Sequence, residues 1–81
     1  MLRLATTSKL VPEEVIRRAV VYFGKGGLGL EVKEQTEVSA SFQGGGGGVG
    51  LAASREGKKT SVELLSQEWD VQIKEFIQTI R

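Results

Sequence analysis

The chain has 81 residues, 40% apolar and 26% charged, with eleven basic against ten acidic side chains and a net charge of +1. That length and balance describe one small folded domain and exclude two globular domains, a disordered chain and, with no apolar run near ~20 residues, a membrane-spanning helix. A domain of this size buries only about 60% of the surface its unfolded chain exposes, so its core is thin and a partner copy would help it.

Histidine, cysteine and asparagine are absent, and Asp70 is the sole aspartate. Zinc, copper and iron–sulfur sites draw on Cys and His, so no metal is expected, and no Ser–His–Asp or Cys–His nucleophile can be assembled. The usual general base at neutral pH is missing as well. The composition points away from an enzyme and implies no cofactor. The first residues, Met1-Leu-Arg-Leu-Ala-Thr-Thr-Ser, carry one basic residue and no extended apolar stretch, so the expected location is cytoplasmic.

Leu2, Leu4 and Thr6 alternate with Arg3 and Ala5, which predicts a short strand. Pro12 suits the first position of a helix, and Glu13 and Glu14 complement its positive end. Val15, Ile16, Ala19, Val20 and Phe23 then fall on one stripe, with Arg17 and Arg18 opposite and Tyr22 off to the side. Gly24 is expected to end this helix in a left-handed conformation.

Leu28, Leu30 and Val32 alternate with Gly29, Glu31 and Lys33, and Val38, Ala40 and Phe42 alternate with Glu37, Ser39 and Ser41. Both runs have the period of strands. A tight hairpin near Glu34-Gln35-Thr36 is the favoured connection, one long bent strand the alternative, because no Gly, Pro, Asn or Asp marks a turn there. After Gly44–Gly48, read as a flexible loop with a mobile lid as its functional version, Val49, Leu51 and Ala53 begin another strand. Arg55-Glu56-Gly57-Lys58 is a hairpin turn leading to Thr60, Val62 and Leu64. Ser66 is placed to cap a last helix on which Trp69, Ile73, Phe76, Ile77 and Ile80 recur at helical spacing.

The predicted fold class is α+β: β-α-β-β-β-β-α, with a twisted antiparallel sheet and two helices packed on one face. A strand, the Leu10-Val-Pro-Glu-Glu-Val approach to a helix, a meander and a C-terminal helix together resemble a shortened helix-grip domain of the Bet v 1 and START-like kind. That resemblance implies a hydrophobic ligand held between sheet and helix. The same order resembles one half of the TATA-binding-protein fold, whose sheet grips DNA. Both resemblances rest on element order, and no functional residue is carried over from either.

Three features are candidates for function. Gly45-x-Gly47-x-x-Gly50 and Gly24-x-Gly26-x-x-Gly29 match the dinucleotide fingerprint in letters, but neither lies between a strand and a helix N-terminus, where the pyrophosphate needs it. Arg55, Lys58 and Lys59 cluster at one hairpin and would serve a nucleic-acid-binding domain using the sheet. Glu56, Glu63 and Glu68 lie close by and no aromatic interleaves, so nucleic acid is not the expected partner. The third feature is the solvent parity of the sheet, whose Ser39, Ser41, Gly50, Ala52 and Ser54 are all short. A solvated face ordinarily carries long charged side chains. A short-chain face admits another surface, so these five are expected to form a homodimer interface or the face for a small apolar ligand.

Overall fold

The computed structural model describes residues 1–81. Its elements are β1 (Leu2–Ser8), α1 (Pro12–Phe23), β2 (Glu31–Gln35), β3 (Ser39–Gly44), β4 (Gly47–Glu56), β5 (Lys59–Gln67) and α2 (Asp70–Ile80). This is the α+β order expected from the sequence. All strand pairs are antiparallel, in the order β1-β5-β4-β3-β2. The two strands that flank α1 in sequence thus form opposite edges of the sheet, and α1 carries the chain across its full width.

Period-two alternation divides the sheet into two faces. Ala40 and Phe42, Val49, Leu51 and Ala53, and Val62 and Leu64 all point to the helices and are buried. α1 packs on β3 and β4, and α2 on β5 and β1. Fifteen buried apolar residues form a single core that fills the space between the layers. At its centre the Phe23 ring lies 5.4 Å from that of Phe42 and 5.2 Å from that of Phe76, joining both helices to the sheet. No room remains there for the ligand that a helix-grip resemblance implies. β2 is covered least: α1 only flanks it across shallow grooves, from Val20 and Val21 to Val32 and from Ile16 to Gln35, and all five of its residues are exposed.

Buried hydroxyls seal one end of the core. The Ser8 hydroxyl donates to the carbonyl of Ile80 and accepts from the Leu10 N–H at 3.1 Å, while the Thr60 hydroxyl donates to the Leu10 carbonyl at 2.5 Å. These bonds let the chain leave β1 without orphaned polar groups, and no buried side-chain N or O lacks a partner.

Several local expectations are corrected. Gly24 has φ −79°, so α1 does not end in a left-handed residue; a Cβ there would lie 2.4 Å from the Val20 carbonyl oxygen, and glycine is needed for that close approach. Leu28 and Leu30 belong to the loop before β2, which turns back so that the Leu30 N–H donates to Phe23 and Leu30 plugs the core. Val38 is likewise in a loop and 48% exposed. The hairpin between β2 and β3 exists, with a side chain in place of a turn residue. The Thr36 hydroxyl accepts from the Val38 N–H at 3.2 Å and bonds the Ser39 hydroxyl at 2.8 Å.

The glycine run is neither a loop nor a lid. Gly44 and Gly47 are strand residues, and Gly45 and Gly46, at φ +60° and +83°, form a two-residue hairpin turn of the kind that matches sheet twist. The Trp69 indole covers this turn: its Nε1 donates to the Gly44 carbonyl at 3.0 Å, and a Cβ on Gly45 would sit 2.8 Å from its ring. Gly47 passes so near the Gln67 carbonyl that a Cβ would come within 1.9 Å of its oxygen.

Candidate functional site

Both helices cover one face of the sheet, so the other face is open. Strand register resolves it into rows of residues that stand side by side across the sheet. One row runs Glu34, Ser41, Gly50, Leu65, Arg3 from β2 to β1, and the next runs Ser39, Ala52, Glu63, Ala5. Neighbours in a row are about 4.8 Å apart.

The middle of these rows is low and the rim is high. Ser39, Ser41 and Ala52 extend one or two atoms from the backbone, and Gly50 none; a Cβ added to Gly50 would meet nothing within 4 Å. Glu34, Glu63 and Leu65 rise around them. The result is an open hollow of about 330 Å³. That volume lies at the lower end of the range of small-molecule sites. A second hollow of about 380 Å³ adjoins it, between Lys33, Gln43, Gln67 and the glycine turn.

The charges of the first hollow are asymmetric. Glu63 lies 3.5 Å from Arg3 in an exposed ion pair, whereas Glu34 has no ion-pair partner. Glu34 reaches this face because the β2–β3 register shifts between Val32 and Glu34. Simple alternation from Glu31 and Lys33 assigns it to the helix side, and the shift reverses that.

Of the five short residues singled out in the sequence, the structure brings Ser39, Ser41, Gly50 and Ala52 together around the hollow. Ser54 lies on the same face, next to Ser61, beyond its end. Sequence reasoning missed Glu34, Glu63 and Leu65. A leucine on the outward parity of β5, alternating with Leu64 inward, was the available signal.

The basic hairpin does not gather on this face. Arg55 shares the parity of Val49, Leu51 and Ala53 and points to the helix side, where its Nε donates to the Gly57 carbonyl at 3.3 Å. Lys58 is in the turn with Gly57 (φ +62°), and only Lys59 shares the parity of the open face, across from Glu56. Arg17 and Arg18 are both paired to Glu14, whose carboxyl is held below its ordinary range first by the Arg18 hydrogen bond. The groove they flank between the helices is closed at one side by Tyr22, whose hydroxyl donates to Glu75 at 3.2 Å. Burial, then that glutamate, pushes the Tyr22 hydroxyl above its ordinary value.

The two glycine matches to a dinucleotide site fall on the β3–β4 hairpin and on the loop after α1, so neither offers a helix N-terminus to a phosphate. No group of three His, Cys, Asp or Glu side chains is arranged to hold a metal ion. No helix is long and apolar enough to cross a membrane. Comparison with protein-family models, with curated proteins and with solved structures finds no match to this chain.

Proposed function

We propose that this chain is a non-catalytic binding module that acts as a homodimer and takes a small ligand on the open face of its sheet. The observation that supports ligand binding is the hollow itself, and the homodimer is supported by the thin core of an 81-residue domain. Short side chains that looked scattered in the sequence converge on one depression, with a rim of Glu34, Glu63 and Leu65. A solvated face under no such demand ordinarily intersperses long charged side chains.

The lining indicates the ligand's chemistry. Leu65 and Ala52 offer apolar contact, Ser39 and Ser41 offer hydroxyls, and Glu34 offers a carboxylate with no ion-pair partner. A small molecule with a positive charge beside a short apolar body fits this set. Nucleic acid fits it poorly, because Glu31, Glu34, Glu56 and Glu63 on the same face outnumber its cations Arg3, Lys33 and Lys59, and Arg3 is already paired to Glu63.

The test is an amide-resolved NMR titration with butylamine, and with butyrate as the charge-reversed control. The reading expects butylamine to shift the amides of Ser41, Gly50, Ala52 and Leu65, butyrate to leave them in place, and Ala52→Arg to abolish the response. An absence of shifts on this face, or equal shifts with both probes, overturns it.

A further inference from the structure

The two edges of the sheet are built differently. β2 has five residues, three of them charged (Glu31, Lys33, Glu34), and an irregular register. Those are the devices by which an edge is protected from pairing with another chain. β1 has only one of them, a single charge. Its seven residues run in unbroken register with β5, contain no Gly or Pro, and include one charge, Arg3. Nothing pairs with its outer side. On the helix side of this edge Leu2 and Leu4 of β1 and Ile77 of α2 are only half-buried. Ile77 lies about 200° around α2 from Glu75, which faces α1, so it overhangs the β1 side.

We infer that the homodimer forms by antiparallel pairing of β1 with β1 of a second copy, about a two-fold axis normal to the sheet at Ala5. This rests on the homodimer part of the proposed function and not on the ligand. The open face is a poor alternative interface, because two hollow faces pressed together would leave unfilled space. With the axis at Ala5 all seven residues pair: Leu2 meets Ser8, Arg3 meets Thr7, Leu4 meets Thr6 and Ala5 meets itself, with no like charges opposed.

The helices fit the same axis. α2 packs on both β1 and β5, so it sits about half a strand spacing inward of β1. The axis lies half a spacing outward, which separates the two α2 helices by about 10 Å, at the edge of the packing range of helices. Ile77 lies on that flank. In the antiparallel pair the half-buried Leu2, Leu4 and Ile77 of both copies line the seam between the two α2 helices. The outcome is a continuous ten-stranded sheet with both ligand hollows on one side.

The chain has no cysteine, so a single introduced thiol reads the contact directly. Directly opposed antiparallel residues have Cα atoms about 4.5–5.5 Å apart, within the span of a disulfide. Under mild oxidation Ala5→Cys is expected to form a covalent dimer about tenfold faster than Glu37→Cys, an exposed loop thiol that reports random collision. Tryptophan fluorescence of each variant checks that the fold is kept. Equal crosslinking rates in a chain that sediments as a dimer overturn the edge contact and leave the homodimer standing. Equal rates in a chain that sediments as a monomer overturn both.

Discussion

The Trp69 indole N–H donates to the carbonyl oxygen of Gly44 at 3.0 Å, across 25 positions of sequence, and its ring covers Gly45. The single tryptophan therefore fixes the β3–β4 hairpin to the start of α2. Gly45→Ala strains a left-handed residue and drives a Cβ into the indole, so it should cost at least about 1–2 kcal/mol. Gly50→Ala meets open space and should be neutral, or stabilising by about 0.5–1 kcal/mol. Urea unfolding followed by Trp69 fluorescence measures both, and equal effects would contradict the clamp.

Ser8 holds two backbone groups at the far end of the core, the Ile80 carbonyl and the Leu10 N–H. Ser8→Ala leaves both without this partner inside the protein and should cost about 1–3 kcal/mol. A change under about 0.5 kcal/mol in the same unfolding experiment would show that neither group depends on it.

Tyr22 is the sole tyrosine, so its titration is seen alone by ultraviolet absorbance. Burial first and Glu75 second raise its pKa above the ordinary value of about 10. The folded chain then keeps a proton that the unfolded chain releases. Stability from this group is full below about pH 10 and is lost as pH rises through the folded pKa. The titration midpoint should lie above that of free tyrosine, and Tyr22→Phe should lose less stability than the parent between neutral and strongly alkaline pH. A midpoint at or below the ordinary value would refute the environment described.

Arg55, Lys58 and Lys59 point in different directions and share their surroundings with glutamates. Labelled single- and double-stranded DNA should therefore show no binding at low salt. Binding that weakens steeply with salt and is lost when these three cations are replaced would reinstate a nucleic-acid role.

The fold was legible because burial follows period. The parities of Ala40 and Phe42, Val49 and Leu51, and Val62 and Leu64 identify the buried face of the sheet, and the spacing of Ile73, Phe76 and Ile80 identifies that of α2. What was not legible depends on partners remote in sequence. The glycine run reads as a loop until Trp69 is seen to cover it, and the hairpin at Thr36 is invisible to turn statistics because a hydroxyl replaces the turn residue. Leu30 carries strand alternation but serves the core from a loop, because the chain after α1 folds back on Phe23. In the site, Ser39, Ser41, Gly50 and Ala52 were visible by parity. Glu34 was not, because one irregularity in register changes the face to which a residue points.

Native mass spectrometry of the freshly purified protein tests the homodimeric binding module most directly, since one spectrum reads both assembly and retained ligand. The expected spectrum shows twice the 8.8 kDa chain mass with a small molecule bound, and the bound mass disappears in Ala52→Arg while the dimer remains. A bare monomer would contradict the account.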